Sequence, residues 1–207
     1  MIRITTKIPR SITLAFSGGV DSVAAANFLS RNHNLTLLFV DHRTEDSKRA
    51  QKFVQQFSAK YNLPLKCYTI AKDKPTNESK EEFWRNERYK IFHEQEQPVI
   101  TCHHLDDCVE TWVWSSLHGC GKIIPAKNRN VIRPFLTTRK ADFSSWAKRN
   151  NLSWCEDDSN YDTRYTRNYI RHKMMVDVLH VNPGIHKTIR KKIINEQRTS
   201  SSNVYSP

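Results

Sequence analysis

The 207-residue chain has no C-x-x-C pair, no G-x-x-x-x-G-K-[ST] or G-x-G-x-x-G loop, and no apolar run near the ~20 residues that cross a bilayer. It is also short of acid, with 21 Asp+Glu against 33 Lys+Arg. Each shortage excludes something. The five cysteines, at positions 67, 102, 108, 120 and 155, are odd in number and come without a signal-peptide pattern, so the chain is expected to be reduced, cytoplasmic and free of any membrane span. Cys102, His103, His104, Cys108, His118 and Cys120 fit no common zinc spacing. The missing loops remove two familiar phosphate sites. The net charge of +12 points to a polyanionic partner, nucleic acid first.

What is present begins with Ser11–Arg31, SITLAFSGGVDSVAAANFLSR. Ile12, Leu14, Ala15 and Phe16 make a short apolar strand, while Val20, Val23, Ala24, Asn27 and Phe28 recur with helical spacing. Between them stand Ser17, Gly18 and Gly19. Adjacent glycines allow close approach, and the helix that follows offers unpaired amides and a partial positive charge, which together suit a phosphate.

Further strands are predicted at Leu35–Val40, Leu65–Ile70, Val99–Cys102 and Val131–Phe135. Helices are predicted at Ser47–Tyr61, Ser79–Glu94, Asp106–Leu117 and Arg139–Asn150, the second with a capping box at Ser79-Lys80-Glu81-Glu82. This alternation predicts an α/β fold: a Rossmann-like open parallel sheet of about five strands with helices on both faces. Lys72–Asn77 and Gly119–Asn130 are predicted loops. In such a sheet ligands lie at the carboxyl ends of the strands, where Ser17–Ser22, Asp41–Arg43 and His103–Glu110 all fall. The main domain is expected to span residues 1–160. A basic helical extension over 161–198 and a disordered tail over 199–207 are expected to follow it. Arg164–Arg198 holds nine Lys+Arg against Asp177 and Glu196. Helical spacing predicts Tyr169, Met174 (or Lys173) and Val176 inward, with Arg164, Arg167 and Arg171 on an outward stripe.

The S-G-G-x-D-S segment resembles the PP-loop of the N-type ATP pyrophosphatases, with an adenine nucleotide alpha hydrolase-like fold. Those enzymes split ATP between its α and β phosphates. The resemblance implies that Ser17, Gly18, Gly19, Val20, Asp21 and Ser22 hold ATP and its pyrophosphate, and that Asp21 helps hold Mg²⁺. Four further blocks narrow it: H-H-L-D-D-x-x-E-T at 103–111, EEFWRNERYKIF at 81–92, VIRPFL at 131–136 and WCEDDSNYDTRYTRNYIR at 154–171. Together they resemble the catalytic domain of the tRNA(Ile)-lysidine synthetases.

That resemblance implies a ligase that uses ATP and free lysine to convert the wobble cytidine of tRNA(Ile) to lysidine. Asp21, Arg85, Asp107 and Glu110 would be catalytic, and Asp107 and Glu110 would bind lysine. The basic extension, through Arg164, Arg167, Arg171, Lys187, Arg190, Lys191 and Lys192, would bind tRNA, with a partner protein or a homodimer completing the grip. Departures from the family pattern are Trp84 for an alanine, Arg43 for a glycine, and Cys108 for a glutamine. Two alternatives stay open: a PP-loop tRNA thiolase, which would normally bring paired cysteines, and a catalytically weak tRNA-binding protein.

Overall fold

In the computed structural model, residues 1–71, 73–156 and 161–202 are described, without the side chains of residue 81 and of residues 200–202. Asp157, Ser159 and Asn160 of the fourth block lie outside them. The strands are β1 (Ser11–Ala15), β2 (Asn34–Asp41), β3 (Leu65–Thr69), β4 (Val99–Ile100), β5 (Lys127–Asn128) and β6 (Val131–Ile132). The helices are α1 (Val20–Leu29), α2 (Glu45–Tyr61), α3 (Lys80–His93), α4 (Leu105–Leu117), α5 (Lys140–Arg149), α6 (Thr166–Tyr169), α7 (Met175–Val181) and α8 (Ile185–Ser202). A π-helical turn, Ile170–Met174, joins α6 to α7.

The strand order is β3-β2-β1-β4-β6-β5, parallel except for the β5–β6 pair. The chain winds from β1 outward to β3, then crosses to the other side of β1 to lay down β4. The order therefore reverses between β1 and β4, the position where open α/β sheets place their ligands.

Alternation along the strands covers both faces. Ile12 and Leu14 of β1, Leu35, Leu37 and Phe39 of β2, Ile100 and Ile132 pack with Val23, Val54, Phe57 and Phe143 from α1, α2 and α5. Leu38, Val40, Val99 and Val131 point the other way, onto Phe83 and Phe92 of α3. α1 is apolar nearly all round because α5 covers the side turned from the sheet, so Ala25 and Ala26 are buried along with Val23 and Ala24 of the predicted stripe, while Val20, Asn27 and Phe28 are half-buried.

The open, mostly parallel sheet is as expected, and the differences are local. The sheet has six strands, because the predicted loop Gly119–Asn130 contains β5, which returns onto β6 through a two-residue turn at Arg129–Asn130. Lys127 and Asn128 are exposed and carry no apolar alternation, so periodicity could not reveal that edge. The Ser79 hydroxyl accepts from the Glu82 amide at 3.1 Å, which is one half of the predicted box.

The extension is also different. Asn168, Ile170 and Met175 are buried, while Tyr169 and Val176 are 50% and 65% exposed. The π-helical turn breaks the 3.6-residue spacing on which the opposite expectation rested. α8 continues through Ser202, so 199–202 are helical rather than disordered. Its Ile185, Ile189 and Ile193 share one apolar cluster with Leu105, Val109 and Val113 of α4. Packing is therefore continuous across residue 160.

Candidate active site

The turn after β1 is built by its two glycines and two serines. Gly18 has φ +85°, and a Cβ there would meet the Phe53 ring at 3.0 Å, so only glycine fits without strain. Gly19 caps α1 from an extended conformation. The Ser22 hydroxyl accepts from the Gly18 amide at 3.1 Å and donates to the Gly19 carbonyl at 2.9 Å, which fixes the loop from inside. The Gly18 carbonyl accepts from the Cys155 amide at 2.9 Å, tying the loop to the segment after α5. Val20 is the first residue of α1. Asp21, in the helix's first turn, has a buried Oδ1 with no hydrogen-bond partner.

On the far side of the strand-order reversal, α4 starts with a capping box formed by His104 and Asp107. The Asp107 amide donates to His104 Nδ1 at 3.2 Å, and Asp107 Oδ2 accepts from the His104 amide at 2.9 Å. With Nδ1 accepting, the proton of neutral His104 sits on Nε2, which lies 3.7 Å from Asp21 Oδ2. His104 thus spans the two strand ends. Burial alone would lower its pKa, but the carboxylates of Asp107, Asp21 and Asp106 outweigh burial and hold it above the ordinary value.

The acidic residues of α4 divide. Asp106 receives the Lys140 amide at 2.8 Å and the Arg139 guanidinium, and lies 3.3 Å from His186 Nε2. It joins α4 to α5 and α8, a structural tie that helical spacing alone does not separate from a site. Asp107 Oδ1 accepts from Arg167 at 2.7 Å and from Arg171 at 3.2 Å. Glu110 takes a two-pronged bond from Arg171, at 2.8 and 2.9 Å. Burial would raise the Asp107 pKa, yet His104, Arg167 and His103 hold it far below the carboxylate range. Arg167 and Arg171 therefore do not form part of an outward stripe. Their guanidiniums turn onto the acids of α4, although the Arg167 side chain keeps one side in solvent, while Arg164 lies outward and pairs with Asp162.

Beside this cluster, Arg85 is exposed with its guanidinium 5.2 Å from the centre of the Tyr89 ring. Sequence reasoning did not place Arg88, Arg133 or the two histidines among the site residues. Arg133 is 3% exposed; it donates to the Tyr89 hydroxyl and the Pro125 carbonyl at 2.8 Å each, and its buried Nε has no partner. Arg88 Nε is likewise buried without one, and burial, with Arg85 and Arg167 close by, lowers its pKa. His103 lies 2.9 Å from the Thr101 hydroxyl, and burial pushes its pKa down to about 3. The legible signal was an arginine inside the apolar run VIRPFL. The tail lysines Lys187, Lys191 and Lys192 are exposed on α8, and Arg190 is half-buried.

The departures found in the sequence have local explanations. Arg43 stands at φ +60°, the left-handed region a glycine would suit, held by its amide on Asp41 Oδ1 at 2.7 Å. The Trp84 ring lies 5.2 Å from that of His42, its neighbour in the same segment of the rim. Cys108 is fully buried in the α4–α8 apolar cluster, and burial raises its thiol pKa.

A glycine turn and a capped acidic helix facing each other across a strand-order reversal are the arrangement of an α/β domain of the PP-loop type. The PP-loop domain model matches residues 3–178, and the chain belongs to that family. It is 28% identical to the tRNA(Ile)-lysidine synthase of Thermotoga maritima and 33% identical to that of Francisella tularensis subsp. holarctica, over 88% of this chain in both cases. The chain spans about half the length of these relatives, 48% and 50% respectively.

Among solved structures, the U34-tRNA thiolase NcsA of Methanococcus maripaludis, with its [4Fe-4S] cluster, superposes with a TM-score of 0.73 at 17% identity. That match covers 91% of this chain and 73% of the thiolase. The NH3-dependent NAD synthetase of Campylobacter jejuni gives 0.50 at 16%, covering 93% and 86%. These two likenesses show the fold. No helix among the described residues is long and apolar enough to cross a membrane.

Proposed function

We propose that the chain joins lysine to C2 of the wobble cytidine of a CAU-anticodon tRNA(Ile), consuming ATP and releasing AMP and pyrophosphate. The observation that carries this reading is the bridge made by His104. It lies 3.7 Å from Asp21 of the glycine turn and 3.4 Å from Asp107 of the acidic helix, so a phosphate site and an ammonium site share one rim.

In the first half-reaction the cytosine O2 attacks the α phosphate, an O–P bond forms, and pyrophosphate leaves. The amides and hydroxyls of Ser17–Ser22 receive the departing charge, and Arg85 contributes a cation from α3. The orphan Asp21 Oδ1 fits a hard cation that shares phosphate oxygens, so Asp21 is the residue that would hold Mg²⁺, which supplies charge neutralisation when bound.

In the second half-reaction a lysine amine forms the C2–N bond and AMP leaves with the oxygen. Asp107 and Glu110 hold the ammonium of lysine, and the proton its amine sheds is released to water as the C2–N bond forms. tRNA phosphates lie along the basic face of the extension. The thiolase resemblance is one of fold, and no grouping of described side chains on this rim favours sulfur chemistry over ligation.

Identifying the nucleotide product tests the reading. Incubation with ATP, Mg²⁺, lysine and tRNA(Ile) is expected to yield AMP and pyrophosphate, and ADP as the main product would overturn it.

A further inference from the structure

Asp107 and Glu110 are not free to bind an ammonium group as they stand. Asp107 Oδ2 is committed to the α4 cap, and Asp107 Oδ1 and both oxygens of Glu110 are held by guanidinium groups. Arg167 Nε is a further 3.5 Å from Glu110 Oε2. Two carboxylates and two guanidiniums cancel, so the cluster presents no net negative charge to a lysine side chain.

Both arginines come from one short segment. Arg167 lies on α6, and Arg171, one helical turn later, lies within the π-helical turn. π-helical turns trade regular hydrogen bonding for local freedom and recur at functional sites. The segment is held to α4 through the apolar contacts of Ile170 and Met175 as well as through the ion pairs. On its outer side the Arg167 side chain is still 46% exposed, so an anion from solvent can reach one edge of the pair without first opening the core.

From these contacts we infer that Arg167 and Arg171 are a latch that occupies the lysine site until RNA phosphate draws them off the carboxylates. This rests on the assignment of Asp107 and Glu110 to lysine. The latch exchanges partners rather than breaking bonds. A phosphate takes the guanidiniums and an ammonium takes the carboxylates, so each side of the separated cluster regains a counter-charge. Neither ligand completes the exchange alone: RNA alone would leave two buried carboxylates without a cation, and lysine alone would leave two guanidiniums, that of Arg171 largely buried, without an anion. Binding of RNA and of lysine is therefore coupled, each strengthening the other by the same factor. Lysine therefore fills its site chiefly when an RNA that can receive it is in place.

The experiment is calorimetric titration of the full chain with L-lysine, alone and in the presence of saturating unmodified tRNA(Ile) transcript. Lysine is expected to bind at least about fivefold more tightly with RNA, within the usual range of coupling between sites. In the variant Arg167→Gln/Arg171→Gln, lysine should bind more tightly without RNA than it does to the parent, and the response to RNA should largely vanish. A variant merely deprived of structural support would show weaker binding in both conditions.

Should that variant fail to fold, Arg171→Lys keeps the charge but loses the fork, and the same tightening is expected in smaller measure. Equal lysine affinity with and without RNA in the parent would overturn the latch while leaving lysine binding in place. No lysine binding in either condition would overturn the lysine assignment, and the latch with it.

Discussion

Asp107 works at two scales of chemistry at once, as one half of the helix cap and as an acceptor for two arginines. Its substitution should therefore separate binding from folding less cleanly than that of Glu110, which makes no cap bond. Asp107→Asn and Glu110→Gln are each expected to weaken lysine use roughly ten- to hundredfold, the worth of a charge-assisted hydrogen bond, and to leave ATP affinity within about twofold. Steady-state kinetics with lysine and ATP varied separately checks this, and an unchanged lysine dependence in both variants places the site elsewhere.

His103 gives a pH signature. Its native pKa of about 3 lies below the 6.5 of the unfolded chain, so between those values the unfolded state binds the extra proton. Stability must then fall as pH drops below about 6.5, by up to about 1.4 kcal/mol per pH unit. His103→Gln should flatten that limb in denaturant melts taken between pH 6.5 and 5. An unaltered slope would show that His103 titrates normally.

The elements differ in how much the sequence disclosed. The strand–glycine turn–helix at residues 11–31, the parallel alternation and the rim placement of the two motifs were legible because each is a local pattern: apolar period, turn chemistry and cap. β5 was not legible, since a two-residue exposed edge strand carries no period and is created by pairing with β6. The inward turn of Arg167 and Arg171 was not legible either. A basic residue at helical spacing looks solvated until its partner, here 60 residues away in sequence, is placed beside it.

α8 shows both sides of this, with isoleucines every four residues inward and lysines outward. Its exposed face should contact RNA phosphates. Replacing Lys187, Arg190, Lys191 and Lys192 with alanine should lower tRNA affinity and reduce the slope of log affinity against log salt, by about 0.7–0.9 for each phosphate that is no longer neutralised. Sequence discrimination should survive. A salt titration of parent and quadruple variant reads both quantities, and equal affinities with equal slopes would make the helix a bystander.

At the scale of the whole molecule, one sheet carries two covered faces, and the extension packs on α4 through Ile185, Ile189 and Ile193 as part of the same body. The glycine turn, the acidic pair and the basic extension are brought to the rim where the strand order reverses. Each feature alone has an ordinary structural explanation: a tight turn, a helix cap, a solvated face. Their convergence is what favours ligation chemistry, in a chain about half as long as the relatives it matches. On this reading the chain attaches lysine to tRNA. Mass analysis of the anticodon-containing fragment of tRNA(Ile), after incubation with the chain, ATP, Mg²⁺ and lysine, tests it most directly. A mass gain of one lysine less one water is expected, confined to the wobble cytidine and dependent on every component. An unmodified cytidine after ATP has been consumed, or a gain that persists without lysine, would contradict it.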